Sequence, residues 1–440
     1  MFDNTFVNPH LFYSIFMKHL LLTCLFSLVC ICSMQAQPGR TNIFKQSIHT
    51  IQLRVDNSAE NFPVITLGGK ETLELSFDDL THEYVRYTYK IEHCDYEGNV
   101  SDELFDSDYL YSVADEEVID NYQPSTNTTV LYNHYSLTIP NARMRPLLSG
   151  NYRITVSDED DEGNARKAFE CYFAMVDKRV GIYAQCSTDT EIDHNDSHQQ
   201  LSLRVDCSNL TLRNPNNEIK LLVMQNRRFD NAIIGVPPTA QNGNNLLWEH
   251  SRKLIFDAGN EYRKMEILST RYPGMHGESV KWFAPYYHYT IMTDYPRKNY
   301  LYDEDHNGLY VTRYEGAGNA DTEADYVLAH FSLDMPQLDN EQASIYVNGR
   351  WTTGLTSAYK MRYDDNLQQY VADILLKCGY YNYMYLCTTN DETHKGYTNP
   401  VEGNYFQTEN EYDLLLYYKP TGSRYWQLVG CITPKYVREK

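Results

Sequence analysis

The 440-residue chain carries 38 Lys and Arg against 59 Asp and Glu, a formal net charge of −21. That balance argues against nucleic acid as the main partner, because binding phosphate needs a basic surface, and it disfavours docking on anionic lipid heads. With 42% hydrophobic and 22% charged residues the chain is globular in composition and long enough for about two to four domains; Tyr, at 39 residues against 16 Phe, is the outlier.

Lys18-His19 precede an apolar run from Leu20 to Cys32, followed by Ser33-Met34-Gln35-Ala36-Gln37. A short cationic region, an apolar core and a small residue before a cut predict a signal peptide over residues 1–36, with the true start at Met17 and cleavage after Ala36. The expected product is an exported protein. The apolar run is too short to span a bilayer comfortably and nothing after it is longer, so direct membrane insertion is not expected. Beyond the signal, Cys94, Cys171, Cys186, Cys207, Cys378, Cys387 and Cys431 are an odd, thinly spread set without a CxxC, which supports neither a disulfide framework nor a zinc ribbon.

From there the dominant period is two. Ile51, Leu53 and Val55 alternate with polar residues, as do Leu73, Leu75 and Phe77, then Val85, Tyr87, Tyr89 and Ile91, and later Tyr152, Ile154 and Val156 and Phe169, Cys171, Phe173 and Met175. Alternation means one buried and one wet face, as in antiparallel sheets. The expected fold is all-β, with tandem immunoglobulin-like or E-set β-sandwich domains. The first is expected over 37–176 and is interrupted by an acidic flap, 94–129, long enough to be functional or to carry its own short structure. A second set of alternating strands (Leu201, Leu203, Val205; Ile219, Leu221, Val223; Tyr287, Tyr289, Ile291) predicts a sandwich over 177–322. The small, polar stretch Glu315–Glu323 reads as a linker, and a third sandwich is expected over 323–440. No long amphipathic helix is evident, so a parallel sheet with crossover helices is not expected.

Catalytic signals are sparse. No GxSxG occurs, and Gly277-Glu-Ser279-Val lacks the second Gly. His194 and His198 have metal-ligand spacing for a helix but sit in a polar loop sequence without HExxH. Asp303, Asp305 and Asn307 open like a calcium loop, but the position where an EF-hand places its bidentate Glu is Tyr314, and the flanks read as strands; the competing reading is an acidic turn in which Asn-Gly supplies positive φ. Gly68-Gly69-Lys70 is not a phosphate loop. No cofactor and no enzymatic activity are expected.

Several segments are sharper than their composition: Phe77-Asp78-Asp79-Leu80; Tyr87-x-Tyr89-x-Ile91-x-His93-Cys94-Asp95; Ser125-x-Asn127-Thr128; Tyr132-x-His134-Tyr135; and Ser149-Gly150-Asn151-Tyr152. Asn214-Pro215, Gln225-Asn226, Gly259-Asn260-Glu261-x-Arg263 and Gly403-Asn404-x-x-x-Thr408-Glu409-Asn410 follow. In this order, from about Asn42 to Gly430, the set resembles the plug protein family of the Bacteroidetes type IX secretion system. One departure is Tyr96-Glu97-Gly98, where the family pattern leads one to expect a Trp. The resemblance implies a non-enzymatic periplasmic protein, associated with the outer membrane, that seals the periplasmic mouth of the translocon β-barrel when no substrate carrier is engaged. Leu104, Phe105, Tyr109 and Tyr111, apolar residues set in acid, are the expected partner-binding anchors on the flap. A second likeness lies in the third domain, where Ile345-Tyr-Val347-Asn-Gly349-Arg-Trp351 and Gly379-Tyr380-x-x-Tyr383-x-Tyr385 are similar to starch- and glycogen-binding carbohydrate modules. It implies an alternative, a glycan-binding periplasmic or surface protein with Trp351, Tyr381 and Tyr383 stacking on sugar. An exposed row of coplanar aromatics near Trp351 would favour that alternative, and a pocket with paired acids would favour an enzyme.

Overall fold

A computed structural model of the chain describes residues 40–160, 162–339, 343–389 and 392–437. The signal segment expected over 1–36 lies outside the described residues.

The alternating residues form three two-layer stacks of sheet. In the first, Ile48–Val55, Leu73–Asp79, Asn133–Ile139 and Asn121–Pro124 make one antiparallel sheet. Gly150–Glu159 is flanked by Ala165–Val176 and Thr88–Cys94 in the facing sheet. Leu75, Phe77, Tyr87, Ile91, Tyr135, Ile154 and Phe169 fill the space between them. The Phe77 and Tyr135 rings stack at 5.1 Å, and Tyr87 meets both edge-on. Tyr87 and Tyr135 account for part of the chain's Tyr content, because each buries a broad apolar body while its hydroxyl finds a partner at the core edge, Asp79 for Tyr87 and the Val85 carbonyl for Tyr135.

The second stack pairs a sheet built on His198–Asp206 with one built on Ile219–Gln225, around Leu201, Leu203, Leu221 and Trp248. Here the expected division after residue 322 does not hold. Ile219–Gln225 pairs antiparallel with Tyr412–Tyr418, which pairs in turn with Gln427–Ile432, so the last two strands complete the second sandwich. The third sandwich lies between them in sequence. Arg263–Ile267 pairs with Gly379–Thr388, and Gly277–Phe283, Tyr286–Ile291, Tyr326–Leu333 and Gln369–Lys377 form the opposing sheet. The stretch read as a linker is a surface loop of this third sandwich, ending in the short helix Ala320–Glu323. The physical reason is that alternation tells which face of a strand is buried but not which strand lies beside it.

The junctions between sandwiches are tight. Ala174 and Val176 of the first pack against Leu222, Met224, Leu415, Tyr417 and Leu428 of the second. Toward the third, Lys377, 1% exposed, donates to Asp78, 0% exposed, at 2.6 Å. Tyr326 Oη donates to the same carboxylate at 2.6 Å, and His134 Nδ1 lies 2.7 Å from its other oxygen. The Lys377 ammonium also sits 4.2 Å from the centre of the Tyr132 ring. Burial alone would raise the Asp78 carboxyl, but Lys377 and His134 more than offset that and hold it below its ordinary value. All seven cysteines among the described residues are free.

Candidate partner-binding surface

The flap is mostly a covering of its own sandwich. Phe105 precedes a single helical turn, Asp106–Tyr109, and the chain then enters the strand Leu110–Ser112, which pairs with Met144–Pro146. This geometry turns Tyr109 and Leu110 into the first core, where Tyr109 is 3% exposed and its hydroxyl donates to Asp106 at 2.6 Å. Leu104 packs half-buried against the same core. One of the four expected anchors is therefore corrected: Tyr109 is a core residue, because the helical turn aims it inward. Phe105, at 75% exposed, and Tyr111, at 46%, do face outward, joined by Val113. Arg145 lies over the Tyr111 ring at 5.3 Å.

The flap is fastened at its base. Arg424 of the second sandwich donates to the Glu103 carbonyl at 3.1 Å and pairs with Asp108 at 2.9 Å. His93, fully buried, contacts Ser101 Oγ at 2.8 Å and the Ser149 carbonyl at 3.2 Å, and packs edge-on against Tyr152 and Tyr425. Burial lowers the His93 imidazole to about 4, so it is neutral at physiological pH. A Cβ on Gly150, whose φ is +142°, would fall 2.3 Å from His93 Nε2 and 2.9 Å from the Trp426 carbonyl, so only glycine permits this approach.

A second aromatic projection was not singled out from the sequence. Gly277–Phe283 is an edge strand, and its hairpin with Tyr286–Ile291 turns through Ala284-Pro285. Trp282 is 49% exposed and Phe283 59%. Trp282 leans on Tyr287, with ring centres 4.9 Å apart, and Phe283 meets His288 edge-on. The signal available in the sequence was the pair Trp-Phe directly before Ala-Pro, a turn without the polar residues that normally solvate a hairpin tip.

The residues expected to stack on sugar are inside. Tyr381 and Tyr383 are 2% and 0% exposed. Trp351 is half-buried among Phe331, Tyr359 and Tyr381 and donates from Nε1 to the Asn382 carbonyl at 2.9 Å. These three belong to the third core and offer no platform for a sugar ring. The calcium-loop residues are also engaged within the protein. Asp303 pairs with Lys264, while Asp305 accepts from the backbone of Tyr262 and Asn307. Asn307 and Gly308 take positive φ. No cluster of three or more metal-ligating side chains is found among the described residues. His194 and His198 diverge, the first beside Asp189 and the second between Asp193 and Asp257.

Several of the later motif residues gather where the chain passes between the second and third sandwiches. Asn226 donates to Asn410 at 2.7 Å, and Asn410 donates to Gln199 at 3.0 Å. Asn260 donates to the Glu402 carbonyl at 2.9 Å, and Arg263 pairs with both Glu402 and Asp294. Burial opposes the Arg263 charge, but those two carboxylates more than compensate and raise it. These motif residues thus brace the segments that connect the second and third sandwiches.

Among the described residues no helix is long and apolar enough to cross a membrane. A family model described as the first domain of the type 9 secretion system plug protein matches residues 48–176. The crystal structure of a hypothetical protein from Parabacteroides merdae is 38% identical, covers 91% of this chain and 100% of its own, and superposes with a TM-score of 0.87. BcpA, the major pilin subunit of Bacillus cereus, is 7% identical over 52% of this chain and 60% of its own, with a TM-score of 0.16 that carries no argument. No curated protein matches the chain. Over its first sandwich, residues 48–176, the chain carries the first domain of the type 9 secretion system plug protein family.

Proposed function

We propose that this protein is a non-enzymatic periplasmic plug that closes the periplasmic mouth of the type 9 translocon, an outer-membrane β-barrel, while no substrate carrier is engaged. A stopper for a wide water-filled opening must be stiff, must have a wet surface and must release. The observation that carries the reading is the pair of buried junctions that tie the matched first sandwich to the rest of the chain, Asp78–Lys377 toward the third and Ala174 and Val176 against Leu222, Met224 and Leu415 toward the second. Reversible binding calls for a polar interface with a few aromatic anchors, and Phe105 with Tyr111 and Trp282 with Phe283 supply two such spots on an acidic surface.

The test is a mild-detergent pull-down of the tagged protein from its native envelope, combined with a permeability assay on cells lacking it. Recovery of a very large outer-membrane barrel, enriched when the carrier subunit is deleted, and leakage of a large periplasmic dye in the deletion strain are the expected results. Absence of any barrel and an unchanged permeability would reject the role. The burial of Tyr381 and Tyr383 removes the observation that would have favoured sugar binding by the third sandwich.

A further inference from the structure

A groove runs along the junction of the second and third sandwiches. Its larger part, a cavity of about 510 Å³, is lined by Ser197, His198, Asp257, Tyr397, Asn404 and Tyr405 among others. An adjoining cavity of about 260 Å³ shares His198 and Asp257 and adds Arg228, Arg252 and Lys395. The first volume alone falls within the roughly 300–1,000 Å³ usual for small-ligand sites.

The walls are built rather than incidental. Asn404 accepts from the Gly259 backbone at 3.0 Å, and Phe406 N donates to the Asp196 carbonyl at 3.0 Å, tying the loop of the third sandwich to the second. Gly403 has φ of +76°, and a Cβ there would meet the Tyr405 ring at 2.8 Å. The floor is His198, with Nδ1 at 2.7 Å from Asp193 and Nε2 at 3.2 Å from Asp257. Ser197 Oγ lies 3.0 Å from His198 Nδ1, but it also lies 3.1 Å from the Asp193 oxygen that holds that nitrogen. Serine and imidazole are both committed to Asp193, so the arrangement is suited to holding a ligand and not to nucleophilic attack.

The chemistry of the lining is uneven along the groove. The large end presents two tyrosine rings beside amide, hydroxyl and carboxylate groups, the combination that receives a sugar ring and its hydroxyls. The other end presents cations. Arg228 is spent on Asp230 and the Gly396 carbonyl. Arg252 and Lys395 form no ion pair among the described residues, in a chain with 59 acidic side chains to 38 basic ones. Lys395 rests 4.9 Å from the centre of the Tyr397 ring.

We propose that this groove binds a short acidic oligosaccharide, with its sugar rings beside Tyr397 and Tyr405 and a carboxylate toward Arg252 and Lys395. The proposal goes beyond the plug role and does not rest on it. Calorimetric titration of the full chain with trigalacturonic acid and with neutral maltotriose tests it. Trigalacturonic acid is expected to bind saturably and about ten-fold or more tighter than maltotriose, the gain expected of charge-assisted contacts. The doubly substituted Arg252→Gln, Lys395→Gln protein should lose that gain while its thermal midpoint stays unchanged, since both side chains are exposed. Tyr405→Ala should weaken both sugars. Lack of binding by either sugar, equal affinity for the two, or an undiminished affinity in the charge variant would each overturn it. The charge variant still decides if Tyr405→Ala fails to fold.

Discussion

Against the second sandwich, the first presents Ala174 and Val176 to Leu222, Met224, Leu415 and Tyr417. Against the third, it presents Asp78, His134 and Tyr132 to Lys377 and Tyr326. Both junctions are buried, yet they do different work. The first is mainly apolar, and most of its stabilisation follows buried area, with Tyr417 Oη donating to Asn151 at 2.8 Å and Arg424 pairing with Asp108 as directional contacts beside it. The charged one permits a single geometry, since moving Lys377 from Asp78 strands two buried charges. The comparison teaches that affinity between the sandwiches comes mainly from one junction and angle mainly from the other.

Removing one member of the charged junction is expected to have the largest effect. Lys377→Met leaves the Asp78 carboxylate buried without its cation and should cost about 3–5 kcal/mol in urea unfolding. Asp78→Asn with Lys377→Met should recover much of this loss, and a double variant no better than the single would refute the pairing. The pH response has a defined sign. Asp78 is held below its ordinary value of 3.8, so its contribution is complete above that value and is lost as pH falls through the lower folded value. The double variant should therefore lose less stability in acid than the native chain.

The apolar junction should break more gently. Leu415→Ala, at a position 3% exposed, should cost about 2–4 kcal/mol without a pH-dependent part. Small-angle scattering sharpens the contrast: the Leu415 variant should keep the native profile while folded, whereas the Lys377 variant should broaden it. A broadened profile in the Leu415 variant instead would reverse the assignment of affinity and angle.

A third effect arises where the loop bearing Tyr300 lies over Glu261. Burial pushes the Glu261 carboxyl up to about 7, against an acceptor role toward the Tyr300 hydroxyl, with Asp305 adding to the rise. A raised folded value means that the stability is fully present below the ordinary value of 4.5 and is lost as pH rises through about 7. Glu261→Gln should flatten that loss, which is on the order of 3 kcal/mol, as read from thermal midpoints between pH 4 and 8. An unchanged slope would rule out Glu261 as its source.

The strands and their inward faces were legible in the sequence because each alternates at period two and its inward residues are large and apolar, but Tyr289 and Ile291, expected in the second sandwich, lie in the third core. The pairing was not legible. Tyr412–Tyr418 lies beside Ile219–Gln225 although nearly the whole third sandwich intervenes, and no local pattern specifies that register. The family motifs were visible as ordered residues but not as interactions, since Asp78 finds Lys377 across 299 positions. Tyr109 was misjudged because four apolar residues in an acidic segment look alike until the single helical turn Asp106–Tyr109 aims Tyr109 inward. Trp282 and Phe283 escaped because a strand at a sheet edge can expose residues on both faces, and alternation then says little about partners.

The smallest expected effect on stability is the most telling for function. Phe105→Ser with Trp282→Ser removes one exposed ring from each aromatic spot. Neither substitution opens a cavity in a core, so unfolding should shift by no more than about 0.5 kcal/mol. Junction variants act the other way, changing stability and shape while leaving both rings in place. If the aromatic spots anchor a partner, the Phe105 and Trp282 variant should fold normally and lose barrel recovery in the pull-down, whereas the Leu415 variant should keep recovery while folded. Full recovery with both rings removed would show that the partner reads another part of the surface, and the rigid frame would then be the only part of the plug reading left to explain.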